Sequence, residues 1–251
     1  MTRHDYGSHR DQHGSLRLPP TRFGPGTHPV AVLLHGGSWR TRYGKIVIAL
    51  LARDLARRGW ASWNLEYRRV GERSGGGWPQ TGEDVLAGID ALASFDAPLD
   101  LDRVVVIGHS AGGQLALWAG AERGAGQGPV RPKAVVAQAA PSDLERSARS
   151  GSPTIERFLG GSPDEVPANY RDASPIGRVP LGIPQLLVHG DHDGIVGFGT
   201  SKRYADAARA AGDDVTLVKI EGAGHQLHLN PRGEAWAAVI DWLAPWAPPA
   251  A

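Results

Sequence analysis

The chain has no cysteine among its 251 residues. That absence excludes disulfides, thiolate metal sites and a cysteine nucleophile together, and leaves the redox compartment open. It also lacks an excess of charge of one sign. With 27 basic side chains against 26 acidic ones, no basic block or stripe is available to hold nucleic acid or an anionic membrane. No run approaches the ~20 apolar residues of a membrane helix. The opening MTRHDYGSHRDQHG has no apolar core of a secretory leader, so a cytoplasmic protein is the expectation. His4, His9 and His13 in that polar stretch are expected to be solvated.

What is present is an alternation. PVAVLLHG is short, continuously apolar and bounded by glycine, as a strand covered on both faces should be. Ile48, Leu51, Ala52 and Leu55 then follow at i, i+3, i+4 and i+7 and predict a helix stopped by Gly59. WASWNLEY reads as a strand, and Thr81 with Asp84 resembles a capping box ahead of Val85, Ile89 and Leu92. RVVVIGHS, PKAVVAQAA, PQLLVHG and DVTLVKI read as further strands. Helices are expected over AGGQLALWAGA, near Ser201 to Ala211, and around Gly233 to Leu243. This pattern predicts an α/β protein with a mostly parallel sheet and helices on both faces. No repeat or linker divides the chain, so residues 1–251 are expected to form one domain. Two segments break the rhythm: the glycine-rich VGERSGGGWPQ, placed where binding loops occur, and an insertion around 142–181, a lid or a poorly ordered excursion. The tail APPAA is expected to fray.

GHSAG, Gly108 to Gly112, fits G-x-S-x-G where a strand becomes a helix. A bare match is common; the strand–turn–helix context makes Ser110 a candidate nucleophile, with free helix N–H groups facing developing negative charge. His109 beside it is read as packing of the turn. A serine hydroxyl needs a base, and an elbow serine is followed along the chain by an acid and then a histidine. EGAGHQLHLNP offers His225 and His228; His225, directly after the glycine turn, is the better placed. The acid is sought in LLVHGDHDGIV, where Asp191 or Asp193 would hold the imidazole's tautomer. Two histidines and two aspartates so close together also allow a metal site, but no partner cluster supplies a ligand set. HGGSW after the first core strand supplies candidate oxyanion donors, the N–H groups of Gly37 or Ser38 together with that of Ala111. Trp39 and Trp78 are candidate pocket walls, and Arg68 and Arg69 support a loop or meet a substrate carboxylate.

HGGSW, GHSAGG, HGDHDGIV and GAGH, in that order, resemble the α/β-hydrolase superfamily from about Leu16 to Trp246. Within it the chain resembles small esterases and kynurenine formamidases with an HGGxW loop, and bacterial acyl-esterases with an H-G-x-x-D-x-x-V acid loop. Prolyl-oligopeptidase-type peptidases share that acid loop, but this chain has no room for their propeller. Hormone-sensitive-lipase relatives differ, showing HGGG and GDSAGG. The resemblance implies Ser110 as nucleophile, Asp193 as acid and His225 as base, with Asp191 bracing the loop, His189 ending the strand and His192 exposed. It implies a serine hydrolase acting on a small carboxylic ester, with no metal or other cofactor. The alternatives are an arylformamidase and a non-hydrolytic acyltransferase or cyclase using the same triad. The expected partner is a small-molecule ester or amide substrate, with neither nucleic acid nor membrane, and a homodimer is left open.

Overall fold

In the third strand alternate side chains serve two different cores, which is why its sequence is apolar at every position. Val30, Val32 and Leu34 face one core while Ala31 and Leu33 face the other. The computed structural model describes residues 1–124, 126 and 128–248; the expectation for the tail falls in part on residues 249–251, outside the described residues. Among the described residues the strands are β1 (Thr2–Asp5), β2 (His13–Arg17), β3 (His28–Leu34), β4 (Ala61–Leu65), β5 (Leu99–His109), β6 (Ala134–Gln138), β7 (Gln185–Gly190) and β8 (Val215–Ile220). They form one sheet in the order β1-β2-β4-β3-β5-β6-β7-β8. Every pairing from β4 to β8 is parallel; β2 pairs antiparallel with β4, and β1 antiparallel with β2.

The helices are α1 (Ala49–Arg57), α2 (Gln80–Asp90), α3 (Ala111–Gly124), α4 (Leu144–Arg149), α5 (Pro153–Leu159), α6 (Pro167–Ala173), α7 (Gly199–Ala210) and α8 (Glu234–Trp242). Leu51, Ala52 and Leu55 of α1 share a core with Trp236 and Val239 of α8. Val85 and Ile89 of α2, Leu115 and Leu117 of α3, and Tyr204 of α7 fill the other face. No helix among the described residues is long and apolar enough to cross a membrane.

Two local expectations are corrected. The polar N-terminus forms the β1–β2 hairpin, and its histidines are half-buried: His4 stacks on Phe95 at 4.3 Å, and His9 and His13 bond nearby backbone. Thr81 and Asp84 make no capping box. Thr81 already lies inside α2 and its hydroxyl donates to the Arg68 carbonyl at 2.7 Å. The Asp84 carboxylate, 1% exposed, is taken by the Arg68 guanidinium at 2.7 and 2.8 Å and by Gln12 at 2.7 Å, stronger partners than a helix N–H. The insertion around 142–181, expected as a lid or a poorly ordered excursion, carries three short helices, whose Leu144, Ile155, Phe158 and Tyr170 merge with the main core.

At the carboxyl edge of the sheet two histidines are packed away from water, His109 at 2% and His228 at 0% exposure. Burial first, and then neighbouring histidine rings, push His109 down to about 3 and His228 down to about 4 from 6.5.

Two outcomes are expected. Asp84→Ala strands a mostly buried cation and should lower the free energy of unfolding by about 3 kcal/mol in guanidinium titrations; a loss of a few tenths would make the pair ordinary surface chemistry. Below pH 6.5 the unfolded chain binds protons that the native His109 and His228 refuse, so stability is complete above that pH and is lost as pH falls towards 4. His228 alone should account for on the order of 2 kcal/mol by pH 5. His228→Leu should therefore flatten the dependence of stability on pH between 7 and 4, and an unchanged slope would refute this.

Candidate active site

The four motifs singled out from the sequence all lie just past the carboxyl ends of parallel strands, where open α/β sheets form their crevice. His35 to Trp39 follow β3, Ser110 follows β5, Asp193 follows β7 and His225 follows β8.

Ser110 sits on the turn between β5 and α3 with φ at 55°, a left-handed conformation that a non-glycine residue adopts only when its surroundings hold it there. Its N–H donates to the Gln138 carbonyl at 2.8 Å, and its own carbonyl accepts from Gly113 and Gln114. The turn fits against β3 only because residue 112 is glycine: a Cβ there would lie 2.1 Å from the Leu34 carbonyl oxygen. The HGGSW loop closes from the other side. A Cβ on Gly36 would meet the His109 carbonyl at 2.8 Å and the Ser110 Cβ at 3.1 Å, so the first glycine of the pair sets how closely the loop approaches the serine.

Past that contact the loop runs through three left-handed residues, Gly37, Ser38 and Trp39. The Gly37 carbonyl accepts from Arg40 and the Trp39 carbonyl from Val70 at 2.6 Å. The indole N–H of Trp39 donates to Gln114 at 3.1 Å, and its ring stacks on Phe158 at 4.3 Å. Beneath the loop His35 Nε2 meets Glu66 at 2.8 Å, and Glu66 also meets Arg69 at 3.1 Å. Burial alone would raise the Glu66 carboxyl, but His35 and Arg69 outweigh it and hold it below its ordinary range. Ser38 and Ala111 line the cavity beside Ser110, whereas Gly37 sits one step behind, against Tyr43.

Asp193, His225 and Ser110 form a continuous chain. Asp193 Oδ2 accepts from His225 Nδ1 at 2.7 Å, and His225 Nε2 lies 2.9 Å from Ser110 Oγ. With the ring proton on the aspartate side, Nε2 is left to accept from the serine hydroxyl. The three residues are 7–8% exposed. Asp193 Oδ1 accepts the N–H groups of Ile195 and Val196 at 2.8 and 2.9 Å. Burial would raise this carboxyl, yet the bonds from His189, His225 and the two amides outweigh it and hold it well below the usual carboxylate range. The carboxylate is therefore ionised at neutral pH.

The rest of the polar loop separates. Asp191 accepts the Gly222 N–H at 2.7 Å and lies 3.4 Å from Lys219, bracing the turn after β8, and His192 is exposed. His189 does more than end the strand. It is fully buried between Ser201 Oγ and the Val196 carbonyl, both at 2.7 Å, with Nε2 3.2 Å from Asp193. Glu66 and His189 are the site residues that the sequence reading missed. Only the i, i+4 spacing of His189 and Asp193 hinted at the second, and nothing local marked the first. His228 packs 5.9 Å from the His109 ring and does not join the Ser110 chain; His109 Nε2 donates to the His225 carbonyl, 2.9 Å away.

Other candidates fall outside the crevice. Arg68 and Arg69 are committed to Asp84, Asp11 and Glu66, which leaves neither for a substrate. Trp78 does not line the cavity: its ring packs edge-on to Trp118 and Phe158, behind the Trp39 wall, and its N–H goes to Asp172. The glycine-rich 70–80 loop contributes no lining residue either; it supports the HGGSW loop through Val70. The cavity over Ser110 measures about 380 Å³, the size of a small-molecule site. Trp39, Ile155 and Ile195 form its apolar wall, and α4 and α5 from the insertion close one side.

The fold is shared with known esterases. A truncated carbohydrate esterase from gut microbiota superimposes with a TM-score of 0.84 at 21% identity, covering 98% of this chain and 95% of that one. A thermophilic esterase from Thermogutta terrifontis gives 0.79 at 20% identity, covering 100% and 96%. The central sheet and its flanking helices are thus those of the α/β-hydrolase fold. In sequence the chain is 31% identical over 222 residues to a protein named esterase LipC from Mycobacterium tuberculosis. That match takes in 80% of this chain and 53% of the relative, so the chain spans about half the relative's length. The prolyl oligopeptidase family model matches residues 55–248, a stretch that holds Ser110, Asp193 and His225 but not HGGSW, the loop on which the formamidase resemblance rests. With more than half of its length matched in this way, the chain belongs to the prolyl oligopeptidase family.

Proposed function

We propose that the chain is a serine hydrolase that cleaves a small carboxylic ester through an acyl-enzyme. The observation that carries this reading is the buried run of hydrogen bonds from Asp193 through His225 to Ser110, ending at a cavity of small-molecule size. The esterase names of the curated relative and of the structural neighbours lend it further support.

Ser110 Oγ forms a bond to the ester carbonyl carbon as its proton passes to His225 Nε2. The ionised Asp193 stabilises the imidazolium through Nδ1–H without itself taking a proton. The oxygen of the tetrahedral intermediate is met by the N–H groups of Ala111, at the head of α3, and Ser38, on the left-handed loop; each such donor is worth about 10²–10³ in rate. Collapse breaks the carbon–oxygen bond to the alcohol, which leaves with the proton from His225. Water, deprotonated by the same histidine, then releases the acid. The insertion helices α4 and α5 form a fixed wall that selects what fits beside the scissile bond.

The test combines a fluorophosphonate probe with turnover of 4-nitrophenyl esters of increasing acyl length and of an arylformamide. Wild type should label and Ser110→Ala should not; equal labelling of both would remove the nucleophile. A preference for the arylformamide would move the substrate class from ester to amide. Asp193→Asn should lower kcat by about 10³–10⁴-fold, since the amide cannot hold the imidazole tautomer. Asp191→Asn, which loses only an exposed brace, should stay within about threefold. The opposite ranking would place the acid at the wrong residue.

A further inference from the structure

The cavity over Ser110 is lined by two arginines, Arg146 of α4 and Arg203 of α7, both solvent-exposed at its rim, and by no acidic residue. This is not a consequence of bulk charge, because the whole chain carries a formal +1. It is not general to the arginines of that wall either. Arg149, on the same short helix as Arg146, is held by Glu145 at 3.0 Å and Asp164 at 2.8 Å. Glu145, directly before Arg146, is thus taken by Arg149, and Asp143, three residues before it, is the cap of α4 and accepts the Arg146 backbone N–H at 3.0 Å. Among the described residues neither Arg146 nor Arg203 makes an ion pair. Arg203 is steadied only by a 3.4 Å contact with the hydroxyl of Thr200, itself a lining residue.

The other lining residues are mixed: Trp39, Ile155 and Ile195 are apolar, while Ser147, Ser152 and Thr154 of the insertion carry hydroxyls, that of Ser147 donating to the Asp143 carbonyl at 2.8 Å. A guanidinium offers a planar fork of donors that fits a carboxylate in two parallel hydrogen bonds, and it stays charged at any working pH. Two such forks without counterions, beside a nucleophile, raise the local concentration of anions and orient them.

We propose that the substrate is an ester that also carries a carboxylate, which Arg146 and Arg203 hold while Ser110 attacks the ester carbonyl. This deepens the serine-hydrolase reading and rests on it for the chemistry. The carboxylate is a spectator: the only bonds that change are those of the ester and of one water. The charge can lie on the acyl side or on the alcohol side, and the same two residues serve either.

The experiment compares kcat/KM for matched pairs at low salt. One arm sets 4-nitrophenyl hemiglutarate against 4-nitrophenyl valerate; the other sets 4-acetoxybenzoate against phenyl acetate. In at least one arm the anionic ester should exceed its neutral partner by about tenfold or more. That ratio should collapse towards one in the Arg146→Gln, Arg203→Gln double variant, and shrink in about 0.5 M salt. Neutral preference in both arms, or a ratio indifferent to the two substitutions, would overturn the proposal. A binding measurement keeps it independent of catalysis. Ser110→Ala should bind monomethyl glutarate about tenfold more tightly than methyl valerate by calorimetry, and lose that difference when both arginines are replaced. If no ester is turned over, the hydrolase reading falls, and this binding ratio alone decides the anion site.

Discussion

Four strand ends have to reach one point with no side chain between them, and the backbone contact of Gly112 against Leu34 is where that requirement is most severe. A single added methyl at residue 112 would overlap the Leu34 carbonyl oxygen. Because β3 and β5 are neighbours in register, with Leu34 opposite Gly108, the turn after one is held against the turn after the other. The left-handed φ of Ser110 follows from this closeness, as does the approach of the HGGSW loop. The strain at the serine is supported by the flanking hydrogen bonds and by two hydrophobic cores, not by the turn itself.

Electrostatics completes what packing begins. Histidines cluster at this edge of the sheet: His109 packs against His225, His228 against His109 and His189, and all are buried. Desolvation keeps His109 and His228 neutral, which prevents a ring of like charges from disfavouring an imidazolium at His225. Asp193 is the opposite case, ionised despite burial because two histidines and two amides converge on it. Glu66 and Arg69 repeat that logic one layer down, beneath the loop at His35. The proposed reaction needs one mobile proton between Ser110 and His225, and these surroundings leave few other places for it to go.

Much of this was legible from the chain. Continuous apolar runs revealed β3, β5, β6 and β7 because a parallel strand covered on both faces has no polar side. The spacing of Leu51, Ala52 and Leu55 disclosed α1 for the corresponding reason at period 3.6. What stayed hidden depends on contacts far apart in sequence. The N-terminal hairpin is polar and is recognisable only through β4 and the stacking of His4 on Phe95. The insertion helices are six or seven residues long, too short to show a period, and their apolar residues make sense only against the main core. Asp84 resembled a cap because Arg68 is invisible to a local pattern. Likewise Trp78 resembled a pocket wall until Phe158 and Trp39 were seen in front of it. The arginines at 146 and 203, remote in sequence, come to line one cavity only in the finished fold.

The central claim is that Ser110 attacks while the amides of Ala111 and Ser38 receive the developing charge. The most direct measurement is a crystal structure of the protein inactivated by a small fluorophosphonate. The account requires phosphorus bonded to Ser110 Oγ and the phosphoryl oxygen about 2.7–3.1 Å from both amide nitrogens, with His225 still paired to Asp193. Phosphorus on another side chain, or a phosphoryl oxygen turned to solvent away from those amides, would contradict it.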